Sequence, residues 1–219
     1  MLPALAVDLG CGPGHTTRLV QQIVKAGRTM GLDRSTSFIA TASATPTPGV
    51  SFLAHDATAM PLPIEPPDLI FARLLLAHLP DHGSIVQAWC DAAAAGGRVL
   101  LDEVESVETD DAVFKTYLDE VAIPVVTSQS GRLIVGPALH EMADPPVGVR
   151  VHDAVVTLCS PAALTARMFA MNLQVLSDTG ETAPRPDLSD ALWPLAADTS
   201  AAPVVWRMRQ IAFERRSTS

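Results

Sequence analysis

Apolar residues recur along this chain in two alternating patterns. Short, nearly continuous runs are each followed by a stretch with helical spacing. Ala4 to Leu9 is apolar apart from Asp8 and is bounded by Gly10, the pattern of a buried strand. "HTTRLVQQIVKAG" follows. It places Leu19, Val20, Ile23 and Val24 on one helical face, with Gly27 as the expected stop. "RTMGLD" predicts a second strand ending at Asp33, and "RSTSFIATASA" a helix capped by Ser35 and ended by "TPTPG". "VSFLAHD" predicts a third strand ending at Asp56, and "DLIFARL" a fourth, buried on both faces. "DHGSIVQAWCDAAAAGG" predicts a helix closed by Gly96 and Gly97, and "RVLLDEV" a fifth strand. In the last third, "DAVFKTYLDEVA" reads as helix and "VRVHDAVVTL" as strand. Ser160 and Pro161 suit the cap and first turn of the helix "AALTARMFAMNLQVL", and "PVVWRMRQIAF" suits a final strand. Alternating strands and helices with apolar strands predict an α/β fold, a doubly wound and mostly parallel sheet. No linker divides the chain, so a single domain over residues 1–219 is expected.

Composition narrows the partners. A length of 219 residues suits one such domain, and 48% hydrophobic with 18% charged residues predicts a folded chain. The net charge is −9. Nucleic-acid binders rely on basic surfaces to meet phosphates, so no nucleic-acid partner is expected, and small molecules are. Cys11, Cys90 and Cys159 are far apart and form no CxxC pair, so neither a metal site nor a disulfide framework is expected. They read as reduced thiols of a cytoplasmic protein. "MLPALAVDLG" lacks the basic start and the apolar length of a signal peptide, and no apolar run is long enough to span a bilayer, so no membrane role is expected.

Gly10, Gly12 and Gly14 form G-x-G-x-G between the first strand and the first helix. Glycines there permit a sharp turn and a close ligand approach, and the helix start adds unpaired N–H groups. The alternative is a tight strand–helix turn that holds nothing. A dinucleotide fingerprint carries its last glycine at the sixth position, where this chain has His15, which argues against an oxidoreductase of similar fold. Asp33 ends the second strand, where a carboxylate takes both hydroxyls of a ribose. Asp56, beside the same crevice, offers an acceptor to an exocyclic adenine amine.

With these features, the chain resembles the class I S-adenosylmethionine-dependent methyltransferases. "VDLGCGPG", "GLD", "HDATAMPLP", "DLIFARLLLAHLPD" and "GGRVLLDEV" match that family's successive motifs over roughly Ala4 to Val104. The resemblance implies a Rossmann-like, seven-stranded sheet with the final strand inserted antiparallel. It assigns a cofactor half to about residues 1–104 and an acceptor side to about 105–219. It also implies S-adenosyl-L-methionine as cofactor. Asp8 would orient the methionyl ammonium through water. The backbone from Gly10 through Cys11 and Gly12 to Gly14 would pass the methionyl group and ribose. Asp33, with Arg34 beside it, would bind the ribose; Asp56 and the backbone of Ala57 would meet the adenine; and Arg73 would offer its carbonyl to the ammonium.

Methyl transfer from a sulfonium is an in-line displacement in which the protein aligns the reactants and excludes water. A general base is needed only when the nucleophile carries a proton of high pKa, and a carboxylate acceptor would need none. His78, after the fourth strand, and Glu103, at the end of the fifth, are the candidate catalytic residues. His82 reads as a capping or solvated residue, and His140 and His152 have no assigned place. His78 and Met168 are the candidate substrate contacts, Met168 against the alternative that its helix simply packs in the core. "EPPD" resembles the N/D-P-P-aromatic motif of DNA-base methyltransferases, but it precedes the fourth strand, where that motif would follow. The function read from the sequence is methyl transfer to a small-molecule acceptor. The alternative is a non-catalytic S-adenosylmethionine-binding module. Family members usually carry a covering helical segment before the first strand, and here little precedes Leu5. That leaves three readings: a truncated start, a lid from an oligomeric partner such as a homodimer, or an open site.

Overall fold

The computed structural model describes residues 2–198 and 200–217. Seven strands form one sheet: β1 (Leu5–Leu9), β2 (Arg28–Asp33), β3 (Val50–Ala54), β4 (Leu69–Arg73), β5 (Arg98–Glu108), β6 (Gly148–Ser160) and β7 (Val204–Arg215). Their order is β3-β2-β1-β4-β5-β7-β6. The first five are parallel, and β7 enters between β5 and β6, antiparallel to both. The expected Rossmann-like α/β architecture, with its inserted antiparallel strand, is the one observed.

Helices α1 (His15–Val24), α2 (Thr36–Ser43) and α3 (His82–Ala92) alternate with the parallel strands. The last third carries α4 (Ala112–Tyr117), α5 (Ile123–Ser128), α6 (Gly136–Glu141), α7 (Ala162–Asp178) and α8 (Pro186–Leu195). A π-helical turn over Leu118–Ala122 joins α4 to α5.

Period-two geometry explains how β1 is buried on both sides. Leu5, Val7 and Leu9 face the main core with Ile70, Trp89, Leu101 and Phe213. Ala6 points the other way, into a smaller cluster with Val20 of α1. A third cluster joins Phe114, Tyr117, Phe169, Leu173 and Leu192 beneath the C-terminal helices. There Tyr117 stacks on Phe169 with ring centroids 4.1 Å apart.

Several expectations change. The buried side of α1 carries Thr17 and Val20, while Leu19 and Ile23 are exposed. Two polar residues displace the apolar stripe: Thr17 donates to buried Asp8, and Gln21 bridges Ala26 and Thr29. The helix ends at Lys25 in a left-handed conformation, before Gly27. Ser35 caps α2 as expected, accepting from the Phe38 amide at 3.2 Å. Asp81, not His82, caps α3. Ser160 belongs to β6 and provides no cap for α7. β5 runs four residues past the predicted Val104, to Glu108. Asp68 of "EPPD" binds the amides of Ala4 and Leu5 at the opposite edge of the sheet from the glycine turn.

Gly31 gives a direct test of the packing around β2. A Cβ built there would stand 2.7 Å from Phe52 and 2.8 Å from both Cys11 and Thr17. Gly31→Ala is expected to destabilise the fold by about 1–3 kcal/mol, read as a lower urea midpoint with an unchanged slope.

Candidate active site

The parallel strands end along one edge, and a cavity of about 750 Å³ opens there. Gly10, Asp33, Arg34, Asp56, Ala57 and His78 stand in its walls. The far wall comes from the last third: Val125, Gln129, Leu176 and Glu181. Gln129 Nε2 donates to Glu181 Oε2 at 2.6 Å and joins the two segments across it.

The glycine turn is held from below. The Cys11 amide donates to the Leu32 carbonyl at 3.0 Å. The Gly12 amide donates to Asp33 Oδ2 at 2.8 Å, and the Ser35 amide to Asp33 Oδ1 at 2.8 Å. Gly12 has φ of 51°, and nothing lies within 4 Å of a Cβ built on it. Its backbone angle favours glycine, and the space above it is open for a ligand. Gly10 is also tightly packed, because a Cβ there would meet Leu75 Cδ1 at 2.8 Å.

Asp56 lies just beyond β3. The Thr58 amide and hydroxyl both donate to its Oδ1, at 2.8 and 2.7 Å. These bonds, the amide first, hold its carboxyl below the ordinary range. Its Oδ2 has no hydrogen-bond partner among the described residues. The neighbouring Ala57 carbonyl accepts from Trp89 Nε1 at 2.8 Å, which fixes this corner to the core.

The turn after β4 forms the opposite wall. Leu74 is a non-glycine residue with φ of 53°, a costly conformation that persists when its surroundings enforce it. Its amide donates to the Asp102 carbonyl at 3.1 Å. The next two amides, Leu75 and Leu76, both donate to Glu103 Oε1 at 2.9 Å. The 3-10 turn Leu76–His78 then carries His78 to the crevice. Desolvation by the surrounding chain, then the charge of Arg34, hold the His78 imidazole below its ordinary pKa, against the opposing pull of Glu181. That favours the neutral ring, the form able to accept a proton.

Residues 6–97 match the methyltransferase domain family. Over 106 residues the chain is 37% identical to the trans-aconitate 2-methyltransferase of Methylobacterium nodulans, covering 48% of this chain and 40% of that protein. Over 150 residues it is 29% identical to the trans-aconitate 2-methyltransferase of Methylobacterium radiotolerans, covering 65% of this chain and 57% of that protein. The matches therefore span 40% and 57% of these two curated relatives. Phosphoethanolamine N-methyltransferase 2 of Haemonchus contortus, solved with phosphomonomethylethanolamine and S-adenosylhomocysteine, superposes with a TM-score of 0.59 at 17% identity. That superposition covers 98% of this chain and 49% of that one, and the likeness is one of fold.

Residues 6–97 are thus similar in sequence to methyltransferases, and the chain shares the fold of solved ones. Within that frame, the structure brings Gly10, Asp33, Arg34, Asp56, Ala57 and His78 to one crevice. Other candidate residues lie elsewhere. Asp8 is sealed beneath α1, where Thr17 Oγ1 donates to it at 2.7 Å. Burial pushes its carboxyl up to about 7. Cys11 is buried, and burial raises its thiol to about 12. Arg73 and Met168 line a second, smaller cavity on the other side of the Leu74 turn. Arg73 Nε also pairs with Asp102 Oδ2 at 3.0 Å. Glu103 lies outside the crevice wall: it is fully buried, holds the turn that shapes that wall, and its Oε2 has no partner among the described residues. The far-wall residues Gln129 and Glu181 carried no signal in the sequence, because they are distant in the chain and lie outside any motif.

Burial, more than any other influence, raises the Glu103 carboxyl from 4.5 to about 7. The folded chain therefore binds this proton more tightly than the unfolded chain. The resulting stability is complete below about pH 4 and is lost as pH rises through about 7. Glu103→Gln keeps the Oε1 acceptor and removes the titration. Between about pH 5 and pH 8 its unfolding free energy is expected to fall less than that of the wild type, by on the order of 2–3 kcal/mol. Parallel denaturant curves at the two pH values give this difference; identical pH dependence in the two proteins would contradict it.

Proposed function

We propose that the chain transfers a methyl group from S-adenosylmethionine to a small-molecule acceptor. The observation that carries this reading is that Asp33 and Asp56, at the ends of neighbouring strands, line one crevice beside the glycine turn, whose Gly12 amide Asp33 accepts. When bound there, the cofactor supplies an activated methyl group on a sulfonium. Both Asp33 oxygens already accept backbone amides, and each keeps a lone pair for a ribose hydroxyl. Asp56 Oδ2 is free to accept from an adenine amine, and the backbone of Ala57, anchored by Trp89, lies beside the ring. Gly10 and Gly12 let the methionyl chain pass close to the backbone. Leu75, Val125 and Leu176 give the crevice apolar wall surface.

His78, which lines the crevice, is the candidate to meet an acceptor, and its neutral form suits a base of modest strength. Glu103, sealed in the core, acts through the turn it holds. A carboxylate acceptor would need no base. The net charge of −9 supports a small-molecule acceptor over nucleic acid. Among the described residues, no helix is long and apolar enough to cross a membrane.

Titration calorimetry with S-adenosylmethionine tests the cofactor. Asp33→Ala is expected to weaken binding by roughly 1.5–3 kcal/mol, the range for hydrogen bonds to charged groups. A folded wild-type protein that does not bind S-adenosylmethionine would falsify the reading. A labelled-methyl assay, with trans-aconitate as its first acceptor, separates turnover from binding alone.

A further inference from the structure

The turn after β4 divides two cavities. Leu75 and His78 face the crevice, while Arg73 and Leu74 face a second cavity of about 270 Å³. Its other walls are apolar: Leu158 of β6, Leu164 and Met168 of α7, and Trp206 of β7. Leu158, Leu164 and Met168 are each more than 40% exposed, so this apolar surface is open to solvent. Such surface favours an apolar occupant.

Arg73 is the one charged residue in the lining. Its Nε contacts Asp102, and its two Nη groups have no hydrogen-bond partner among the described residues. The Thr165 hydroxyl donates to Ser160 Oγ at 3.1 Å, and the Ser160 hydroxyl to the Pro161 carbonyl at 3.5 Å. A guanidinium with free Nη groups presents the planar fork that takes both oxygens of a carboxylate. One carboxylate can be satisfied there. A second or third would lie against leucine, methionine and tryptophan with no further cation to pair with, and would displace apolar contact there.

We propose that this cavity is a second ligand site and that it binds an apolar monocarboxylate, with the carboxylate on Arg73 and the apolar body against Leu158, Leu164, Met168 and Trp206. The Leu74 turn separates it from the cofactor crevice, so this site does not depend on the methyl-transfer reading. The anion site itself stands on the cavity.

The test is calorimetry with octanoate as probe, on the protein alone and on the protein saturated with S-adenosylhomocysteine. Octanoate is expected to bind, and trans-aconitate, a tricarboxylate, to bind at least about tenfold more weakly. Arg73→Gln removes the fork, and Met168→Glu places a like charge opposite the bound anion. Each is expected to weaken octanoate at least about tenfold, with thermal unfolding as the check on folding. Met168 is partly exposed on a helix surface, so its variant keeps the test open even where Arg73→Gln loosens Asp102. Failure of octanoate to bind, tighter binding of trans-aconitate, or wild-type octanoate affinity in both folded variants would overturn the proposal. S-adenosylhomocysteine binding without octanoate binding sinks this site alone. The reverse result sinks the methyl-transfer reading and leaves an anion site.

Discussion

The carboxylate of Asp33 accepts the Gly12 amide with one oxygen and the Ser35 amide with the other. β1 and β2 are parallel neighbours with Leu9 opposite Leu32, so the turn leaving β1 passes directly over the end of β2. The two turns would otherwise present amides to a water-filled gap. One short acidic side chain at the end of β2 satisfies both and sets the floor of the crevice. The open space above Gly12 follows from that, because the turn is pulled down against the sheet while Gly12 itself carries no side chain. Phe52 and Thr17 pack closely around Gly31 one strand layer below, which keeps the floor rigid.

Glu103 makes the same kind of bond on the far side of β1 in a different setting. Asp33 stands in the crevice wall, whereas Glu103 is sealed in the core, and burial raises its carboxyl to about 7. Its Oε1 gathers two amides of the turn after β4 and helps enforce the left-handed Leu74. That turn is a partition: one side bounds the crevice with Leu75 and His78, and the other bounds the smaller cavity with Arg73 and Leu74. The two carboxylates therefore position the two walls between which a reaction would take place.

The last third completes the enclosure by packing on itself. Phe114, Tyr117 and Phe169 form a cluster of their own, which gives α7 a rigid seat. From that seat α7 lines the small cavity near its start, through Leu164 and Met168, and the large crevice near its end, through Leu176. One helix thus spans both spaces, and the Gln129–Glu181 bond joins its trailing turn to the segment after α5.

The amino-acid sequence alone determined the parallel strands, the glycine turn between β1 and α1, and the carboxylates at the ends of β2 and β3. Each is a local signal: an apolar run, a G-x-G-x-G spacing, an acid where such a run stops. Glu103 was visible as an acid at a strand end, but only the tertiary structure decided that it faces inward onto backbone amides. The buried side of α1 differs from its apolar face because Thr17 and Gln21 turn inward through hydrogen bonds that apolar periodicity does not register. The far wall, and the separation of Met168 and Arg73 from the cofactor crevice, were also decided by the fold. These placements depend on contacts between segments far apart in the chain, as Gln129 and Glu181 are, and no local pattern encodes where two such segments meet.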